Sequence, residues 1–383
     1  MSESHLSVGY DISSIFGRNG IARYSRELLL QMSRRADVST HLVGTRNQRD
    51  ELLSLFHGTL PVDTELSLTH ERALGAPLRR LVRLWKAREI RGLFSSDDVL
   101  HYLGPQKIFA NHSRAVSTVH DLIPLYDTFS VDAGLRYRFP RMIERQLRHS
   151  DAVVCPSQWV ADTVYERFPW YQGPVTVTPL AAGSRFRPTE LSSAVRLRYN
   201  LPERYMVFVG RIDVARKNLD VILSAWLSLD RNTRSGSQFL VITDRTDADV
   251  QRFLHDHKLE VDSSVRFLTS VTTEEMVEIL SNARAMVFAS QAEGFGLPIL
   301  EAMQCGCPVI TSNATSMPEV GGDAALYVSP SNMEEVRSSM QMVLGSESVY
   351  GDLKIKGLTR SKQFSWGTTA ELTVQAYRSC PHR

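Results

Sequence analysis

Two glutamates, Glu293 and Glu301, stand with seven residues between them in the run Ser290-Gln-Ala-Glu-Gly-Phe-Gly-Leu-Pro-Ile-Leu-Glu301. Gly294, Gly296 and Pro298 fall between the two carboxylates. Upstream, Ala285-Met-Val-Phe-Ala289 reads as a short buried strand. Downstream, Pro298 at a first helical position and Gly306 past the end bracket a helix. Strand, glycine loop, helix is an arrangement that aims backbone N–H groups and the positive end of a helix at a ligand above the loop. A carboxylate in the loop and a second one a turn inside the helix can then face that ligand from different heights. The ligand such a loop suits carries phosphate.

A diphosphate also needs cations. Gly210-Arg-Ile-Asp-Val-Ala-Arg-Lys217 follows the apolar run Tyr205–Val209 and precedes an apolar helix, Leu219 to Leu229, for which Asn218 is a candidate cap. Arg211 and Lys217 flank this βα loop. One charge-assisted contact contributes about 1.5–3 kcal/mol, so two can hold a diphosphate. In the first half, Gly20 opens the amphipathic helix Gly20 to Leu30 after a first strand, Leu6 to Tyr10, where a glycine lets a phosphate or sugar come close. His120 ends the run Arg114–Val119; ligands of open α/β sheets sit beyond the carboxyl ends of strands, which makes this histidine a site candidate.

These residues need a scaffold that brings strand ends together. The chain has 383 residues, and two domains are the expectation for that length. Apolar runs alternate with helical patterns throughout. Strands are expected at Val38–Val43, Asp98–Leu103, Asp151–Cys155, Val175–Thr178, Phe239–Ile242, Val265–Leu268, Cys307–Ile310 and Ala325–Val328. A linker is expected at Leu180–Pro188, and a final helix from about Gly367 to Tyr377. The region Arg46 to Leu74 gives no assignment beyond loop. The fold class is α/β, with domains 1–184 and 185–365 and a closing segment 366–383.

Other classes fall away. The net charge of +2 is too small for nucleic acid, and the four cysteines form no CxxC pair. Cys305-Gly-Cys307 reads as a helix end entering a strand. No G-x-G-x-x-G fingerprint occurs, which weakens a dinucleotide reading. Asp247-Ala-Asp249 has the DxD form of some metal sites, but it falls where a helix begins and acidic residues suit the dipole; no metal is expected. No apolar run approaches the ~18 residues of a membrane span. With no signal peptide, the expected location is cytoplasmic. Asn111-His-Ser113 and Asn313-Ala-Thr315 are sequons with no secretion signal to give them meaning. Two basic helical stretches, 78–91 and 132–149, could lie peripherally on an anionic membrane.

Several blocks together resemble the retaining family-4 glycosyltransferases of GT-B fold, those with an E-x7-E motif. They are Gly20-Ile-Ala-Arg-Tyr-Ser-Arg-Glu27, Val209-Gly-Arg211 with Arg216-Lys-Asn218, Glu293 through Glu301-Ala-Met, Gly306-Cys-Pro-Val-Ile310 and Pro318-Glu-Val320. The resemblance implies two Rossmann-like domains facing across a cleft, with the C-terminal helix crossing back to the first. It implies that Arg211 and Lys217 neutralise the leaving diphosphate and that Glu301 accepts hydrogen bonds from the ribose. Glu293 would lie near the transferred sugar, together with Gly294 and the backbone N–H groups of Phe295, Gly296 and Leu297. His120 would face the sugar, Gly20 would close over the phosphates, and the base would lie near Ser270 and Val271. Ala182-Gly183 departs from the Asn-Gly usual at that place.

The likeness is nearest to bacterial mannosyl- and rhamnosyltransferases of polysaccharide assembly. It implies no cofactor, a GDP-sugar as the favoured donor and a glycan acceptor, lipid-linked at the cytoplasmic membrane face. A sugar-nucleotide epimerase, a sugar-phosphate synthase and a catalytically silent scaffold are the alternatives.

Overall fold

The computed structural model describes residues 5–11, 14–15, 20–45, 49–55, 64–69, 95, 98–104, 112, 114–127, 133–212 and 215–381. The chain divides into two compact units. One consists of Met1–Leu125, Ala133–Leu180 and Trp366–Arg383, and the other of Ala181–Ser365 with Tyr126–Asp132.

The first unit is built on seven parallel strands: β1 (Leu6–Asp11), β2 (Val38–Thr45), β3 (Thr64–Thr69), β4 (Val99–Tyr102), β5 (Ala115–Thr118), β6 (Ala152–Cys155) and β7 (Val175–Val177). Their order is β3-β2-β1-β4-β5-β6-β7. Every residue of β4, β5 and β6 is buried, as parallel strands covered on both faces must be. Strand β3 and a helix at Arg49–Leu55 lie in the region left unassigned from sequence. β3 sits at the sheet edge and pairs only with β2, with Thr64 opposite Thr40. The basic stretch 78–91 lies outside the described residues. The second basic helix spans Ala133–Arg148.

The second unit has six parallel strands: β8 (Arg204–Val209), β9 (Ser237–Thr243), β10 (Val265–Thr269), β11 (Ala285–Phe288), β12 (Val309–Ser312) and β13 (Ala325–Val328). Their order is β10-β9-β8-β11-β12-β13. In both sheets the winding reverses once, between β1 and β4 and between β8 and β11. At such a reversal the loops leaving two adjacent strands run in opposite directions and open a crevice at their carboxyl ends. The βα loops leaving β1, β8 and β11 are those that carry Gly20, Lys217 and Glu293.

The closing helix, Trp366–Ser379, belongs to the first unit. Tyr377 Oη lies 3.0 Å from Tyr10 Oη and 2.7 Å from His101 Nδ1. His101 Nε2 in turn reaches Thr118 Oγ1 at 2.8 Å, and Tyr24 Oη reaches the same hydroxyl at 3.0 Å. Burial pulls the His101 pKa down to about 3, so its imidazole is neutral at physiological pH. Nearer the surface, Arg35 bonds both Asp37 and Glu371, and Arg378 bonds Asp37. The C-terminal helix is thus stitched to β1, β4 and β5 at its core and at its rim.

Candidate functional site

In the second unit the loop after β11 turns into a helix spanning Leu297–Gln304. Gly296 precedes it with φ 109°, a conformation that side chains other than glycine rarely adopt. A Cβ there would also meet Ile299 Cδ1 at 3.1 Å. Leu297, rather than Pro298, takes the first helical position. The proline still fits, because N–H groups of the first turn have no carbonyl within the helix to bind. At the other end Cys305 caps the helix and Gly306 takes φ 75°. Cys307 N–H then bonds Ala302 O at 2.9 Å and Gly306 N–H bonds Met303 O at 3.0 Å, a Schellman closure. All four cysteines are buried thiols outside any disulfide.

Lys217 and Glu293 meet directly: Nζ donates to Oε1 at 2.6 Å. Lys217 also sits 4.5 Å above the centre of the Phe288 ring, a cation–π contact. The second cation on Glu293 is Arg216, whose Nη1 lies 2.8 Å from the same Oε1. Arg211, expected with Lys217 at the diphosphate, is exposed just beyond Gly210. A short 3-10 turn at Ala215–Lys217 is what presents adjacent residues to one carboxylate.

Burial pushes the Glu293 carboxyl up, but the charges of Lys217 and Arg216 outweigh burial and hold it below the usual carboxylate range. Burial draws the Lys217 ammonium below its usual value, against the pull of Glu293 and of the more distant Glu301. Glu301 is buried on the Leu297 helix with only 7% of its surface exposed.

The loop carrying Glu293 is held on two sides. Thr311 donates to Phe288 O at 2.9 Å, and Ser312 to Ser290 O at 2.6 Å. Ser316 donates to Glu293 O at 2.8 Å and Phe295 O at 2.9 Å, and Glu293 N–H donates to Thr315 Oγ1 at 3.1 Å. From the other side, Arg216 O accepts from Gln291 N–H at 2.7 Å, and Arg216 Nη1 donates to Ala292 O at 2.7 Å.

Asn218 is not the side-chain cap expected of it. It takes a left-handed φ of 62° and makes no capping bond; its amide donates instead to Ala289 O at 3.1 Å and to Pro330 O. Tying two carbonyls of separate loops takes the place of capping an N–H group.

Sequence reasoning missed Arg216 and the hydroxyls of Thr311, Ser312, Thr315 and Ser316. Their signal was there: two Thr-Ser pairs, four positions apart, immediately after a strand core. Asp247 and Asp249 begin a helix, with Asp249 in a capping box with Thr246. Among the described residues no three His, Cys, Asp or Glu side chains gather as a metal cluster. Ser270 follows β10 in a left-handed conformation, φ 58°, with Val271 next to it.

The first unit brings its own candidates together. His120 Nε2 lies 2.8 Å from Leu103 O, so it carries the proton and leaves Nδ1 its lone pair. Burial pulls this histidine down to about 4, with the Leu103 bond opposing. Tyr24 meets its ring edge to face at 4.8 Å between centroids. Gly20 is exposed at the start of the Gly20–Met32 helix. Gly104 links the two: a Cβ on it would lie 3.1 Å from Ile21 Cγ2 and 3.8 Å from His120 Nε2.

Comparison with known proteins places the chain among glycosyltransferases. Residues 18–181 match the family model described as Glycosyltransferase Family 4, and residues 203–346 match Glycosyl transferases group 1. The chain is 28% identical over 378 residues to O-antigen chain mannosyltransferase B of Escherichia coli, covering 94% of this chain and 96% of that one. It is 28% identical over 273 residues to the serotype-specific mannosyltransferase WbdA of Escherichia coli, of which the match spans only 33%. Among solved structures, sucrose-phosphate synthase from Thermosynechococcus elongatus superposes with a TM-score of 0.70 at 19% identity, covering 98% of both chains. That last likeness is one of fold. The two family models between them span most of the chain, one on each sheet, so the chain carries a family-4 glycosyltransferase domain followed by a group 1 glycosyl transferase domain.

Proposed function

We propose that the protein is a retaining, metal-independent mannosyltransferase that uses GDP-mannose and extends a lipid-linked glycan of a bacterial surface polysaccharide. The observation that carries this reading is the joining of Lys217 to Glu293 at the head of the Leu297 helix, in a chain related along nearly its whole length to an O-antigen mannosyltransferase.

Transfer breaks the bond between the anomeric carbon and the β-phosphate oxygen, leaving an oxocarbenium-like sugar and a nucleoside diphosphate. Lys217, Arg211 and the N–H groups of Phe295, Gly296 and Leu297 stabilise the charge that builds on the departing phosphate. Glu301 binds the ribose hydroxyls, and Ser270 and Val271 border the base. Glu293 lies against the sugar. The acceptor oxygen attacks from the face the phosphate leaves, and its proton passes to the leaving phosphate oxygen.

The test is a thermal-shift titration with GDP, UDP, dTDP and ADP, with and without EDTA. A ligand at ~100 times its dissociation constant adds about 2.7 kcal/mol, roughly 5–10 °C for a unit of this size. GDP alone is expected to raise the melting point, and EDTA to change nothing. A larger shift with UDP or dTDP rejects the GDP donor, and no shift with any nucleotide rejects the diphosphate site.

The lipid-linked acceptor calls for a membrane-facing surface. No helix among the described residues is long and apolar enough to cross a membrane. The Ala133–Arg148 helix buries Phe139, Ile143 and Leu147 and leaves Tyr137 70% exposed beside exposed Arg138, Arg141 and Arg145. Each cation near an anionic surface contributes about 1 kcal/mol. Changing Arg138, Arg141 and Arg145 to glutamate is therefore expected to weaken sedimentation with phosphatidylglycerol vesicles by at least ~100-fold. Unchanged sedimentation would remove the membrane contact from this reading.

A further inference from the structure

Glu293 holds two cations on one oxygen, and they are held very differently. Lys217 is a compact charge on a flexible stem, tied to the protein through Glu293 and the Phe288 ring. Arg216 is fastened at three points: its backbone carbonyl takes Gln291 N–H, and its Nη1 binds both Ala292 O and Glu293 Oε1. A nucleoside diphosphate brings negative charge that competes with Glu293 for Lys217. Once Lys217 turns to the phosphate, a carboxylate with 12% of its side chain exposed loses one counter-charge. An ionised carboxylate buried without a partner is strongly unfavourable and takes up a proton or swings away.

We propose that Arg216 is the positioning residue that keeps Glu293 charged and in place in the donor-bound enzyme, after Lys217 has transferred to the diphosphate. This rests on the reading of Lys217 as a diphosphate ligand. Arg216 cannot follow Lys217 without giving up Ala292 O, so the exchange removes one cation from Glu293 and leaves the other. Among the described residues the groups that act on the Glu293 carboxylate are Lys217 and Arg216 from the 3-10 turn and the Ser290 hydroxyl on its own loop, while Thr315 after β12 takes its backbone N–H and Glu301 bears on Lys217. With Lys217 engaged elsewhere, Arg216 is the cation remaining in this set. Arg216 needs no contact with the donor for this role, which separates it from Arg211 and Lys217.

The test compares Arg216→Ala, Arg216→Lys, Arg216→Gln and Lys217→Ala in the full chain. GDP binding is measured by calorimetry. GDP-mannose turnover, to water or to a mannose-terminated acceptor, is followed across pH. For Arg216→Ala the expectation is GDP affinity within about 3-fold of wild type, kcat lowered by at least ~30-fold, and the acid limb of kcat moved up by about one pH unit or more. Arg216→Lys restores the acid limb. Arg216→Gln is nearest in shape, keeps a donor for Ala292 O and lacks the charge, so it reproduces the shift even if the alanine variant folds poorly.

A wild-type acid limb in both Arg216→Gln and Arg216→Ala overturns the proposal. So does a loss of GDP affinity in them with no movement of that limb, which would make Arg216 a phosphate ligand. Unchanged GDP affinity in Lys217→Ala overturns the underlying donor reading instead.

Discussion

Replacing Lys217 by alanine is expected to lower kcat with GDP-mannose by about 10²–10³-fold, the range seen when one preorganised donor to a developing negative charge is removed. The position concentrates several effects. The ammonium is nearly buried, with 14% of its side chain exposed, so little water screens it from a bound phosphate. It is pre-placed by Glu293 at 2.6 Å and by the Phe288 ring, so little is spent on ordering it when the donor arrives. Its contact strengthens as the phosphate takes up the electrons of the breaking bond, so the loss falls mainly on kcat. Initial rates at saturating donor measure it, and wild-type turnover in Lys217→Ala would reject the assignment.

The pH dependence follows from the same burial. Lys217 loses its proton below the usual lysine value near 10.5, so turnover falls off earlier on the alkaline side than an exposed lysine would allow. Glu293 is lowered as well and acts at the acid end of the range. Its folded pKa lies below the unfolded value, so its contribution to stability is fully present above the ordinary glutamate range and is lost as pH falls through the lowered folded value.

Removing Glu301 should weaken GDP binding by about 100-fold or more while leaving kcat at saturating donor within about 10-fold. A carboxylate accepting from two ribose hydroxyls makes two charge-assisted bonds of about 1.5–3 kcal/mol each. The ribose takes no part in the reaction, so the contact is equally strong before and during transfer and appears in affinity. Glu301 lies on the first helical turns after the glycine loop, and its burial fixes where the carboxylate points. A double comparison isolates the contact: 2′,3′-dideoxy-GDP should bind wild type far more weakly than GDP, and Glu301→Ala should bind the two alike. If the variant still prefers the natural ribose by the full factor, Glu301 is not its ligand.

Much of this molecule could be read from its residues, and the exceptions share a cause. The central strands are unbroken apolar runs, because parallel strands covered on both faces have no polar side to show. Glu293, Glu301 and Lys217 stand out because glycine loops between strand and helix are short and have few alternative geometries. β3 was missed because an edge strand is held from one side by backbone pairing, and Thr64-Glu-Leu-Ser-Leu-Thr69 needs no apolar run for that. Arg216 was missed because the winding of a 3-10 turn decides which neighbour of Lys217 shares its carboxylate, and composition does not reveal that winding. Asn218 and the hydroxyls of Thr311 to Ser316 act on carbonyls some 70 and 22 residues away in sequence. Local rules suggested a cap for Asn218, saw Thr315 only as the end of a sequon and were silent on the others.

The closing helix has a consequence for the order in which the protein can be made. Tyr10 leaves the ribosome 367 residues ahead of Tyr377, to which it is hydrogen-bonded in the finished molecule. Until then His101 Nδ1 has no tyrosine hydroxyl to meet, and Arg114 Nη2 lacks the Tyr377 carbonyl it binds at 2.8 Å. Tyr377 is thus the last member of this buried network to arrive, and the core around β1 and β4 is complete only with the end of the chain. Ala181–Ser365 meets no such delay, because its sheet is assembled from one continuous stretch. During translation the later-made unit is therefore the first to be complete, the reverse of the usual N-terminal-first sequence. A chain cut short after Ser365 would carry a finished second sheet and a first one still missing Tyr377, which its buried histidine and arginine both bind.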